Sequence, residues 1–475
     1  MRDKSIGEEN LRKDLKISIF NSRGQTTVEL ILPLVIVLFM LVALAMVIPT
    51  LSVIKTFALL AGVVIFIASF ASTEMALYVL IFSMLLSPEF MVGATQGGSL
   101  GRGVTLRLDD FLLVIVGFSW LAKMSINKEL GLFLKTPLNK PIAFYVIMCM
   151  VSTLFGAISD RVDLKTGFFY VMKYFEYMVV YFMVVNNLHD KDQVKRYVWA
   201  MLITCAIVSL ISAAQIPSGE RVSAPFEGAV GEPNTFGGYL VFMISITMGL
   251  FLHSIFARER LIYAGFIFLF AILLLYTRSR SSYVAGIPAM LTFILLSGKK
   301  HWLIPAFLLA GILMPFIAPN VAKERVAYTF TQGINQKEAV EVAGVILDTS
   351  TSARLKTWAK ASKDWAKHPI IGYGVTGYGF IDAQYMRVIT EAGFLGLIFF
   401  FILMGTIFRE TYDSFKKAKD PFFKGLSMGF IAGFVGLLFH GLGANTFIIV
   451  RIMEPFWFMT ALVVMIPKLE EDVEM

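Results

Sequence analysis

Residues 235–277 read TFGGYLVFMISITMGLFLHSIF, then ARER, then LIYAGFIFLFAILLLYT. Two blocks without a single Asp, Glu, Lys or Arg flank four residues of which three are charged. At 1.5 Å per residue each block, wound as a helix, is about as long as the ~30 Å hydrocarbon core of a bilayer. A soluble helix pair would carry a polar face recurring every three to four residues, and neither block has one. The stretch therefore reads as a membrane hairpin. Working outward, similar runs recur near 28–48, 56–72, 74–92, 110–124, 141–158, 166–186, 197–215, 281–297, 302–318, 382–408, 425–443 and 447–467. Composition agrees: DEKR make up 16% of the chain, against about 25% in soluble domains. The expected fold is an all-α integral membrane protein, a polytopic bundle of about 12–14 transmembrane helices.

The connectors give an orientation. Basic residues crowd alternate ones, such as Lys123, Lys128, Lys135 and Lys140, then Lys191, Lys195 and Arg196, then Lys416, Lys417 and Lys419. They are sparse in the others. The bias puts both termini in the cytoplasm. It also accounts for the net charge of +8 without nucleic acid as a partner. The expected organisation is a cytoplasmic tail at 1–27, a transmembrane bundle at 28–318, a large extracytoplasmic loop at 319–381, C-terminal transmembrane helices at 382–467, and a cytoplasmic tail at 468–475. Arg23-Gly24 with Glu29 resembles a pilin-type leader, although a plain tail and first membrane helix explain the same residues. In the long loop, Leu355, Trp358, Ala361 and Trp365 recur at helical steps, with Thr351 or Ser352 placed to cap. This helix is expected to lie on the membrane surface over the bundle.

Several chemistries are excluded. Cys149 and Cys205 sit inside apolar runs, and five scattered histidines give no zinc spacing. There is no Walker loop and no GxGxxG after a strand, which argues against an ATP-driven pump. No cofactor and no metal are expected.

The informative polar residues gather in outside connectors. Arg221 lies in RVSAPFEGAVGEPNTFGGYL, and Arg278 and Arg280 lie in TRSRSSYVAG, with almost no loop between two apolar runs. Charge this close to hydrocarbon is costly, and arginine is suited to fork two hydrogen bonds to phosphate. After the loop helix comes HPIIGYGVTGYGFIDAQYMRVITEAGFLGL, residues 368–397. Its glycines permit tight turns and close backbone approach. Asp382 is placed to open the next helix, and Glu391 falls nine residues into an apolar run. His440 is a lone histidine near the outer end of its helix. Lys173 and Glu176, and Arg451 and Glu454, are spaced to pair on one helix face and read as structural ties.

Taken together, these residues resemble the signature of the O-antigen ligase and Wzy-type polysaccharide polymerase superfamily. The matching pieces are Arg221 with Pro233-Asn234, Ser279-Arg280, Arg354, Trp358, His368-Pro369, Gly372 and Gly374, Asp382, Tyr385, Glu391 with Gly393, and Gly396-Leu397. The likeness spans roughly residues 160–465. It implies a GT-C-type architecture and an inverting, metal-independent glycosyltransferase at the outer face of the cytoplasmic membrane. The implied donor is a polyprenyl-diphosphate-linked glycan, the acceptor is a glycan or lipid-linked molecule, and membrane lipid and other polysaccharide assembly proteins are the implied surroundings. By this resemblance Arg221, Arg278, Arg280, Arg354 and Tyr385 bind substrate, and Asp382 and Glu391 are catalytic candidates; His440, from its place near the outer end of its helix, is a second candidate base. Ligases of the superfamily carry histidine where Asp382 stands. A free aspartate is the weaker base, about 3.9 against 6.5, which suits Asp382 to orienting the acceptor hydroxyl; capsule and exopolysaccharide polymerase-like members carry an acidic residue here, so the resemblance implies a polymerase, with an O-antigen ligase as the alternative. A lipid-linked glycan flippase or transporter is the competing class. Transporters commonly show two similar halves, and no such repeat is visible.

Overall fold

The computed structural model describes residues 53–92, 104–127, 134–227, 231–317 and 349–471, with short pieces at 319–320, 322–324, 327, 341–342 and 345–346. The run at 28–48 and the leader-like Arg23-Gly24 and Glu29 lie outside the described residues. The chain is built from helices α1 (Val53–Ala71), α2 (Thr73–Leu86), α3 (Leu108–Asn127), α4 (Asn139–Ile158), α5 (Leu164–Asn187), α6 (Lys191–Ala213) and α7 (Pro233–His253). They continue as α8 (Ala257–Thr277), α9 (Arg280–Leu296), α10 (Lys300–Ile317), α11 (Thr349–Trp365), α12 (Gln384–Lys417), α13 (Pro421–His440) and α14 (Val450–Glu471). Two short antiparallel pairs accompany them, β1 (Glu89–Val92) with β2 (Val104–Arg107), and β3 (Glu341–Val342) with β4 (Val345–Ile346).

Eight of the described helical segments are long and apolar enough to cross a membrane, and four shorter apolar stretches accompany them. The protein is thus a polytopic all-α membrane protein. Helices satisfy their own backbone hydrogen bonds, which hydrocarbon requires of any spanning segment. The bundle is layered: the apolar window of α14 is 83% buried and that of α7 is 78% buried, whereas α8 at the rim reaches 22%. Helices α7 and α13 approach closely through small residues. A Cβ on Gly249 would collide with the backbone of Gly425 and Gly429, and such stripes are how membrane helices pack without a hydrophobic drive between them.

Several expectations need correction. The run at 74–92 is not one helix: α2 stops at Leu86, and Glu89–Val92 forms a strand paired with Val104–Arg107. The loop helix starts at Thr349, so Thr351 and Ser352 lie in its first turn and do not cap it. The last helix continues through Glu471, beyond the predicted boundary at 467, and its Glu470 carboxylate accepts the amides of Lys419 and Asp420. Lys173 pairs with Glu176 at 3.1 Å but also with Asp110 of α3. Arg451 does not pair with Glu454. Its guanidinium donates to the carbonyls of Leu85, Ser87, Pro225 and Phe226 and lies 3.8 Å from Glu227. It still joins elements, but through carbonyls at the ends of other segments.

Candidate functional site

Arg221, Arg278 and Arg280 gather at one end of the bundle. Helix α8 ends at Thr277, and Arg278 takes a left-handed conformation, φ 50°, so the chain turns directly into α9. Ser279 caps α9 and accepts a hydrogen bond from the Ser282 amide. Arg280 is the first residue of that helix, half-buried. The Arg278 guanidinium donates to the Gly219 carbonyl at 2.6 Å. Arg221 donates through Nε to the Thr277 carbonyl and through Nη2 to Asn234 Oδ1, each at 3.0 Å. It therefore ties the start of α7 to the α8–α9 turn. The starts of α7 and α9 touch, since a Cβ on Gly237 would meet the Ser282 side chain. A helix N-terminus carries about half a positive charge. Two of them beside three arginines gather positive charge here, with the Glu227 and Glu232 carboxylates at the start of α7.

The apolar face of α11 lies on the start of α12. Ala361 packs with Ile381 and Ala383, and Trp358, Tyr378 and Met386 surround them. This places Arg354 Nη2 2.8 Å from Asp382 Oδ2. Asp382 does not open the helix as expected: α12 begins at Gln384, and its cap position is Ala383. The pair is half-exposed, 24% for Arg354 and 35% for Asp382. The segment holding Asp382 is fastened to the loop after α13. Asn445 Nδ2 donates to the Ile381 carbonyl at 2.7 Å, the Gln384 amide donates to the Gly441 carbonyl at 2.9 Å, and the Phe447 amide donates to Gln384 Oε1 at 2.9 Å. Tyr385 donates its hydroxyl to the Leu438 carbonyl and stacks on Phe401, which fastens α12 to α13.

His440 ends α13 and is fully buried, 0% exposed. Its Nε2 is 3.3 Å from Ser281 Oγ and its Nδ1 is 2.7 Å from Thr446 Oγ1. The structure thus brings His440 against the turn that holds Arg280 and next to the segment that holds Asp382.

Glu391 is not nine residues deep in a continuous helix. Helix α12 is broken at Gly393, φ 71° and ψ −171°, and the HPIIGYG segment inserts into the break. The Tyr373 and Gly374 amides donate to the Thr390 and Glu391 carbonyls, and the Phe394 and Leu395 amides donate to those of Pro369 and Ile370. Ser152 Oγ, from α4, reaches the Ile371 and Glu391 carbonyls. Here only glycine serves: its φ is in the left-handed region, and a Cβ would collide with Ile370. The Glu391 carboxylate accepts from Arg387 Nε at 3.1 Å and from the Thr376 amide at 3.3 Å. The cavity beside it holds about 10 Å³, room for one water and not for a sugar. In this position Glu391 braces the break.

At the corner before the break, Asp364 accepts from Lys367 Nζ and from the Tyr378 hydroxyl, each at 2.8 Å. These bonds hold its carboxyl below the usual range, while burial and the bond to Asp364 push the Tyr378 phenol up to about 12. Partial burial, with Arg161 and Lys367 nearby, lowers the His368 imidazole.

Sequence reasoning missed Ser281, Thr446, Gln384 and Asn445. The serine run after Arg278 was visible, but the contacts that matter span 159 residues in the chain, and no local pattern announces them.

No curated protein matches the chain. Residues 264–401, however, match the model of the O-antigen ligase family. That stretch holds Arg278, Arg280, Arg354, Asp382 and Glu391, while Arg221 and His440 pack against it from outside. The chain is a polytopic membrane protein whose residues 264–401 are similar to the O-antigen ligase family.

Proposed function

We propose that the protein is a membrane glycosyltransferase that polymerises polyprenyl-diphosphate-linked glycans at the outer face of the cytoplasmic membrane. The observation that carries this reading is the convergence of Arg221, Arg278 and Arg280 with two helix N-termini, beside the Arg354–Asp382 pair. The donor lipid enters sideways from the bilayer, and the arginines hold its diphosphate. An acceptor hydroxyl attacks the anomeric carbon from the opposite face, inverting it. As the glycosidic bond to the diphosphate breaks, negative charge grows on the leaving oxygens, and preorganised cations there stabilise the transition state. Asp382, held by Arg354, orients the acceptor hydroxyl. Glu391 keeps the broken helix in register beneath it. Aspartate at position 382, in place of a histidine, favours a polymerase over a ligase.

The test is transfer by the purified protein in liposomes, with a polyprenyl-diphosphate oligosaccharide as donor and EDTA present. Longer lipid-linked chains are expected from the wild type, and none from Arg280→Ala, although that variant inserts and folds normally. Full activity in Arg280→Ala would remove the site assignment. Movement of labelled lipid across the bilayer without extension would replace glycan transfer by transport.

A further inference from the structure

A line of hydroxyls, most of them buried, runs from the arginine turn to His440. Ser282 Oγ donates to Ser279 Oγ at 2.7 Å, and the Ser282 amide bonds the same oxygen at 3.4 Å. Ser279 Oγ also lies 3.2 Å from Ser281 Oγ, and either hydroxyl can donate across that contact. Ser281 Oγ lies 3.3 Å from His440 Nε2, and His440 Nδ1 lies 2.7 Å from Thr446 Oγ1. With the ring hydrogen on Nδ1, toward Thr446, the Nε2 lone pair faces Ser281, and this is the tautomer a relay uses. A hydroxyl, a base and a group that orients the base are the parts of a proton-accepting relay.

Two further observations support this assignment. Ser279, Ser282, His440 and Thr446 are all fully buried, and Ser281 alone in the line is half-exposed. The line therefore opens to a reactant at one point, one residue from Arg280. Space for the ring is also built in, because a Cβ on Gly238 would press on His440 and one on Gly443 would touch Ser281.

We propose that Ser281, His440 and Thr446 take the proton from the acceptor hydroxyl, a role that rests on the glycan-transfer reading above. The acceptor's O–H proton passes to Ser281 Oγ as the Ser281 proton passes to His440 Nε2. The freed electron pair of the acceptor oxygen forms the new bond to the anomeric carbon. The bond from that carbon to the diphosphate breaks, and its electron pair leaves with the diphosphate. The proton on His440 returns through Ser281 to solvent before the next turnover. Ser281 is the member that meets substrate, while His440 and Thr446 position and load it.

Steady-state transfer by the full-length protein in liposomes, with a polyprenyl-diphosphate oligosaccharide, tests the relay. In Ser281→Ala, kcat is expected to fall about 100-fold, the scale of general base catalysis. The donor KM should be unchanged, and the decline of rate on the acid side of the pH profile should disappear. Ser281→Thr, which keeps the hydroxyl, should restore kcat to within a few-fold. Thr446→Val, close in shape, should lower kcat while its melting temperature stays near wild type. Wild-type kcat in Ser281→Ala overturns the relay, and so do equal losses in Ser281→Ala and Ser281→Thr, which would mark packing alone. No transfer by the wild type overturns the glycan-transfer reading and the relay with it, whereas an active wild type with unaffected variants overturns only the relay.

Discussion

Arg354 and Asp382 are 28 residues apart in sequence and 2.8 Å apart in space. Because both side chains are partly in water, their ion pair contributes little to stability, about 0.2–1 kcal/mol before screening. Its value is in where it holds the Asp382 oxygens. Arg354→Ala should therefore leave the melting temperature within a few degrees of wild type, yet lower transfer about 100-fold through misplacement of the acceptor. The double exchange Arg354→Asp with Asp382→Arg should likewise keep the melting temperature near wild type without restoring activity. Equal activity in wild type and Arg354→Ala would reduce the pair to a loop fastener. Both residues were legible in sequence from their order and spacing, but their pairing was not. It depends on α11 lying down on Ile381 and Ala383, a contact set by apolar packing across the loop. Ser281 and Thr446 were not legible at all, since a hydroxyl in a membrane helix commonly bonds its own backbone, as Thr460 does with Phe456.

At the scale of elements, α12 is the unusual piece. Its 34 residues would measure about 51 Å as one straight helix, well beyond a ~30 Å hydrocarbon core. The break at Gly393 separates a short arm that carries Arg387 and Glu391 from a longer arm that can span. Gly393→Ala forces a strained φ and a collision with Ile370. A cost of about 1–3 kcal/mol for the conformation alone should appear as a lower melting temperature, together with loss of transfer. An unchanged melting temperature would mean that the segment 368–374 yields easily. The hydropathy of this region announced one helix because averaging over an apolar run hides a single non-helical residue. The glycines of HPIIGYG and of Glu391-Ala392-Gly393 did mark close backbone approach, but not that the two segments approach each other.

Across the whole molecule, the runs of apolar residues were readable because the solvent around them is hydrocarbon. Which run touches which was not, because packing through glycine, as between Gly249 and Gly425, leaves no charge or periodicity to follow. A pH dependence follows from the corner at 364–378. The Asp364 carboxyl is lowered by Lys367 and Tyr378, so its stabilising bonds are present above the ordinary aspartate range, near 4, and are lost as pH falls through its lower folded value. The His368 imidazole is lowered too. A group held neutral in the fold opposes folding once protons bind the open form, below about 6.5. Both effects have the same sign. Hydrogen exchange of the 364–378 amides should accelerate, relative to the intrinsic rate, as pH drops from 7 to below the ordinary aspartate range, with His368→Gln removing the upper part of that change. A flat response would place the corner's stability in its backbone bonds alone.

Arg451 has a consequence for how the chain is made. Its guanidinium meets carbonyls at the end of α2 and in the loop before α7, segments synthesised more than 200 residues earlier. Until the last helix arrives, those carbonyls stand at the membrane boundary without this partner, each at a cost of about 1–3 kcal/mol if shielded from water. Arg451→Met should destabilise the finished protein by about 3–5 kcal/mol, the scale for removing one partner from a buried charge pair, read as a lower melting temperature in detergent. In the cell, chains stalled before residue 451 would display that unpaired surface to quality control. Arg451 thus acts as a clasp that holds together chain ends laid down far apart in sequence.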